Sequence, residues 1–246
     1  MAGIGFKLDR LAREDGLRGI AGAACHGAVI SSGPWLMTAS AVLILNGWTR
    51  SAMAPADHML LQTSLVYAFS ISAVVTAPIA TVATRLASDR LYMSDRDAVP
   101  SILLTALLWT TAASLIAGTL LFGLAAGMRP DLFLLATAMM TLFSQIWIAG
   151  PFLHATHRYA PIFVAYLTGI GLVASALFLV APRGPAAVLA IICGGLLATL
   201  GLLLAAVRED FPSVPIWRAD WLTQNRGALA LRLPGLTNAL ALWFHK

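Results

Sequence analysis

The side chains able to do chemistry inside the apolar stretches of this chain are hydroxyls and amides. One group, Ser31, Ser32, Gly33, Pro34 and Trp35, interrupts the run GAVISSGPWLMTASAVLIL, with Thr38 just beyond it. A second, Thr63, Tyr67, Ser70 and Thr81, keeps close to one helical face, with Val74 an apolar member of the row and Pro78 near its edge. A third, Thr137, Thr141 and Ser144, recurs on one face with Gln145 beside it. Such stripes offer a hydroxyl-rich substrate many weak hydrogen bonds and no strong anchor. The plainer reading is that they knit helices together, each bond worth about 0.6 kcal/mol in a membrane.

The run 27–45 adds a backbone argument. Proline removes an amide donor and crowds the carbonyl four residues back. In lipid the freed groups need partners, so the break at Gly33-Pro34 is expected to face protein or a wet cavity. Pro78 is a second expected kink.

Near the ends of the apolar runs lie Arg85 and the segment His154-Ala-Thr-His157-Arg158-Tyr159, read here as a candidate cytoplasmic gate or headgroup contact, or as an ordinary loop flank. Two histidines three apart could share a face, but a metal would need further ligands and the sequence suggests none. No cofactor is expected. HExxH, a phosphate-cradling glycine loop and a GxSxG elbow are all missing from the sequence. His26 and Ser31 stand roughly 140° apart on a helix and make no dyad. The chain reads as a non-enzyme. Cys25 and Cys193 lie far apart in apolar surroundings and read as packing residues.

These residues need membrane helices to position them. The chain has 246 residues, is 59% hydrophobic and only 11% charged, with mean hydropathy +0.82. A soluble domain carries about 25% charged residues. The formal charge of +5 is scattered over loops and does not form a nucleic-acid patch.

Six charge-free intervals are bounded by Arg18/Arg50, Asp57/Arg85, Asp97/Arg129, Asp131/Arg158, Arg158/Arg183 and Arg183/Arg208. Each exceeds the ~20 residues a spanning helix needs. The fold class is therefore all-α, a polytopic membrane bundle of six helices plus the beginning of a seventh. We expect a cytoplasmic amphipathic or flanking segment at 1–20, the bundle at 21–207, a cytoplasmic linker at 208–226 and an incomplete seventh span at 227–246. Residues 1–20 show no cleavable signal peptide. Small pairs spaced four apart, Ser114/Gly118, Gly171/Ser175 and Gly194/Ala198, are expected to let helices approach. No carboxylate falls within the six intervals, so no proton- or cation-coupling group is visible.

Lys and Arg decide orientation. One side collects twelve of them, from residues 7–18, the Arg85–Arg96 loop, Arg158 and the region after the sixth span, against three on the other. The amino terminus is expected in the cytoplasm.

The opening MAGIGF, the run AVISSGPW and the second-span ending Thr84-Arg85-Leu86-Ala87-Ser88-Asp89-Arg90 resemble the inner-membrane transporter family of the Pel exopolysaccharide system, related to the MOP polysaccharide flippases. A weaker similarity lies in Glu209-Asp210-Phe211-Pro212. The resemblance implies passage of an amino-sugar polymer across the inner membrane of a Gram-negative bacterium during biofilm matrix synthesis. It also implies action beside a cytosolic glycosyltransferase and a cyclic di-GMP-sensing membrane protein. Members of that family carry a second helical bundle facing the first, so this half-length chain is expected to need another bundle or chain. The competing expectation is a non-conducting scaffold or truncated fragment that docks a synthase.

Overall fold

The computed structural model describes residues 37–156, 158–180 and 184–216, and positions 234 and 237. Ser31, Ser32, Gly33, Pro34 and His157 lie outside the described residues, as do residues 1–20 and almost all of the expected seventh span.

Among the described residues every regular element is helical. Helix α1 covers 37–52. Next come α2 (Pro55–Tyr92), a single 3-10 turn (Arg96–Ala98) and α3 (Val99–Gly118), which loosens into a π-helical end at Thr119–Ala125. After these are α4 (Pro130–Ala155), α5 (Ala160–Val180) and α6 (Pro185–Asp210). Five helical stretches, Pro55–Tyr92, Arg96–Ala125, Pro130–His154, Ala160–Val180 and Pro185–Asp210, are long and apolar enough to span a membrane. They correspond to the second to sixth charge-free intervals. Of the first, only the part from residue 37 onward is described, and it is helical.

Local sequence explains the boundaries. Helices α2, α3, α4 and α6 all carry proline in their first turn, where a missing amide costs nothing. Asp57 and Asp131 sit in the first turns of α2 and α4, and Arg90 and Arg208 in the last turns of α2 and α6, so charge complements the helix dipoles. Gly127, at φ +56°, lets the chain leave the end of α3, a conformation that costs a side chain.

Helix α2 has 38 residues, which makes it roughly 57 Å long against a hydrocarbon core of ~30 Å. It must tilt or project, and the end that carries Arg85, Asp89 and Arg90 extends beyond its apolar stretch. It continues as helix through Pro78, so the expected kink is not a break in the helix.

Helix α4 is the most buried of the five spans and packs against α2, α3 and α6, while α5 packs on α6. Two apolar clusters fill the bundle. One joins Val82, Leu86, Ile102, Phe152 and Leu203; the other joins Leu61, Leu65, Met139, Met140 and Leu189.

Candidate functional site

The residues singled out by spacing fall into three places. On α2, Thr63 is exposed, Tyr67 is 49% exposed and Thr81 is half-buried, while Ser70 is buried. The same angular sector continues through Arg85 and Ser88, both exposed. The opposite face builds the core through Leu61, Leu65 and Leu86. Thr81 and Ser88 give their hydrogens to the carbonyls of Ala77 (2.8 Å) and Thr84 (2.9 Å), so each presents lone pairs outward. Arg85 pairs with Asp89 at 3.2 Å on the helix surface.

The second place is the seam between α3 and α4. Gln145 donates from Nε2 to the Leu107 carbonyl (3.0 Å) and to Thr111 Oγ1. Thr141 donates to the Thr137 carbonyl at 2.9 Å and lies 3.3 Å from Ser114 Oγ. Ser144 is fully buried and bonds its own helix at Met140. A Cβ on Gly118 would stand 2.8 Å from Thr137 Cγ2, so the Ser114/Gly118 pair does pack closely against α4. Several buried atoms find no partner here: Gln145 Oε1, Thr110 Oγ1 and Thr137 Oγ1.

The third place is the end of the bundle shared by the α2–α3 loop, the α4–α5 loop and the end of α6. Arg158 Nη1 donates to Asp210 Oδ1 at 2.8 Å and to Glu209 Oε2 at 3.2 Å. Thr156 Oγ1 donates to the other Asp210 oxygen at 2.8 Å. Arg96 lies over the Phe211 ring at 5.5 Å and reaches the Asp210 carbonyl at 3.5 Å. Ser101 Oγ accepts from the amide of Ile216 at 3.0 Å. The two carboxylates raise the Arg158 pKa above its ordinary value, the Asp210 hydrogen bond contributing most. The His154 ring meets that of Tyr159 in a tilted contact at 5.6 Å and joins no ion pair among the described residues.

Thr38 is in none of these places. It lines a cavity of about 290 Å³ enclosed by α1, α2, α4, α5 and α6, whose walls are otherwise nearly all apolar. Cys193 donates weakly to the Leu135 carbonyl at 3.5 Å, a packing position between α6 and α4. Among the described residues no three His, Cys, Asp or Glu side chains converge.

Spacing missed Glu209 and Asp210 as partners of Arg158, and Thr156 and Arg96 as further partners of Asp210. The run Glu209-Asp210-Phe211-Pro212 was visible, but a contact across 52 positions leaves no periodic trace. It also missed the buried hydroxyls Ser64, Ser72 and Thr76, of which Ser72 accepts from Trp147 Nε1 at 3.2 Å.

No curated protein and no solved structure matches the chain. One family does match, over residues 1–246, and its description reads "PelG: Putative exopolysaccharide Exporter (EPS-E)".

Proposed function

This chain belongs to the PelG exopolysaccharide exporter family, and we propose that it helps carry a Pel-type polymer across the bacterial inner membrane during biofilm matrix synthesis. The family is one of exporters and not of enzymes, and the chain is a multi-pass helical membrane protein.

The observation that carries the reading is the outward face of α2. Within its apolar stretch Thr63, Tyr67 and Thr81 stay exposed or half-exposed along one row, which also holds the buried Ser70, while the other face is core; Arg85 and Ser88 continue the row beyond that stretch. Hydroxyls gain nothing from lipid tails, so this row faces a hydrated path or a neighbouring bundle. The polymer passes along it, and a second bundle or chain supplies the opposing wall. A saccharide meets lone pairs and single hydroxyls there, contacts weak enough to let a long chain slide.

The Arg158–Asp210 contact, held by Thr156 and Arg96, closes the cytoplasmic end of the bundle. A cytosolic glycosyltransferase and a cyclic di-GMP-sensing membrane protein are the partners the family suggests at that end. A second reading, a non-conducting scaffold that docks a synthase, draws on the α3–α4 seam. There Thr137, Ser144 and Gln145 are committed to helix packing and line nothing open.

Cysteines at Thr63, Thr81 and Ser88, with Cys25 and Cys193 replaced by alanine, test the path. A water-soluble thiol reagent should modify all three in membranes, and a cysteine at the exposed apolar position Leu172 should be spared. Protection at Thr63 and Thr81 equal to that at Leu172 would sink the path. Unchanged polymer export after deletion of the gene, with another member of the family present, would favour the scaffold.

A further inference from the structure

We propose that the cavity between α1, α2, α4, α5 and α6 is a seat for one acyl chain of a bilayer phospholipid. Its lining runs along the axes of the helices. Tyr166, Gly169, Ile170, Val173, Leu177 and Phe178 line it as one stripe over three turns of α5, roughly 18 Å of helix. On the other wall α1 contributes from Thr38 to Trp48, and α6 from Ile192 to Thr199.

Its chemistry excludes a sugar as the natural occupant. The polar lining is limited to Thr38, Thr199, Tyr166 and two indoles. Thr199 already donates to the Gly195 carbonyl at 3.0 Å, and Trp147 to Ser72 at 3.2 Å. A saccharide hydroxyl brought here would lose water without replacing its bonds, at a cost of roughly 1–3 kcal/mol each. Hydrocarbon loses nothing.

The size agrees. At about 290 Å³ the space is about twice the ~150 Å³ apolar cavity that admits a benzene molecule. A segment of roughly a dozen carbons therefore fits, comparable to most of one acyl chain and a small part of a long isoprenoid. Ile44 and Phe178 line the cavity and are 72% and 87% exposed, which puts the entry of a chain beside them. Both lie near the end of the bundle that carries Arg50. Arg50 is exposed and has no ion-pair partner among the described residues, so a cation stands at the level where the phosphate of a lipid seated this way belongs.

The experiment reads lipid contact and not export, so its outcome is separate from that of the transport reading. The full chain is reconstituted in vesicles of phosphatidylcholine and phosphatidylglycerol doped with a phospholipid bearing a diazirine midway along one acyl chain. After illumination the adducts are mapped by mass spectrometry. We expect adducts on Val173 and Leu196 inside the cavity, lost in Ala174→Phe while adducts on the exposed Leu172 persist. Ala41→Leu fills the cavity from the opposite wall and should give the same loss, which guards against misfolding of the first variant. Adducts confined to Leu172 and other outward side chains overturn the proposal, as does interior labelling that neither substitution reduces. Interior labelling by a diazirine-bearing polyprenyl phosphate but not by the phospholipid also overturns it, and assigns the cavity to an isoprenoid.

Discussion

Asp210 places its two carboxylate oxygens on different partners, Oδ1 on Arg158 and Oδ2 on Thr156, and its side chain is only 12% exposed. Glu209 shares Arg158 but is 67% exposed, where water replaces a lost partner at little cost. Asp210→Ala should therefore lower the thermal unfolding midpoint in detergent clearly more than Glu209→Ala. Equal shifts would mean that the contact is an ordinary surface ion pair. The carboxylates raise the Arg158 pKa, so any linked stability is lost only as pH rises beyond the usual guanidinium range, and neutral pH leaves the guanidinium charged. Gln145 is the complementary case. It makes two donations but leaves Oε1 buried and unpaired. Gln145→Leu removes the orphan together with the bonds, and bonds of this kind average about 0.6 kcal/mol, so the net change should stay within about 1 kcal/mol. A much larger loss, measured by unfolding in mixed micelles, would mean that Oε1 holds a partner such as an ordered water. The residue types of both sites were legible in the sequence; their partners were not, because a hydrogen bond to a helix 34 or 52 positions away has no signature in spacing.

Helices α5 and α6 meet through glycines, but not those that four-residue spacing selects. A Cβ on Gly169 or on Gly195 would sit 2.7 Å from the other residue's carbonyl oxygen, whereas one on Gly171 or Gly194 would meet nothing within 4 Å. Gly169→Ala and Gly195→Ala should each cost about 1–3 kcal/mol by forcing the helices apart. Gly171→Ala and Gly194→Ala should be neutral or stabilising by about 0.5–1 kcal/mol, since alanine is the better helix former. Steric-trapping or micelle unfolding of the four variants would reverse this contact if the order came out the other way. The reason for the misreading is physical. In water an apolar stripe marks the buried face, but in lipid the outward face is apolar too, so α5 shows no stripe from which to choose a glycine. Charge-free length survives that ambiguity, and for that reason five spans were readable while their packing faces were not. Proline opens α2, α3, α4 and α6, a boundary signal that charge-free length by itself does not use.

For the molecule as a whole, the described helices sort the arginines by end. Arg85, Arg90, Arg96, Arg158 and Arg208 gather where α2, α4 and α6 finish, and Arg50 and Arg129 stand at the opposite end. Asp89, Asp95, Asp97, Glu209 and Asp210 share the arginine-rich end, so among the described residues its five arginines are matched by five carboxylates. Orientation nevertheless follows Lys and Arg and not net charge, because acidic residues contribute little to retention of a loop. The arginine-rich end should therefore be cytoplasmic. In a background with Cys25 and Cys193 replaced by alanine, Met93→Cys reports that end and Ala126→Cys the other; both positions are exposed. An impermeant maleimide added to intact spheroplasts should label Ala126→Cys, and should reach Met93→Cys only after the membrane is opened. The opposite pattern would place the Arg158–Asp210 contact in the periplasm, beyond the reach of a cytosolic synthase. It would also show that the paired carboxylates had cancelled the arginines' hold on their side of the membrane.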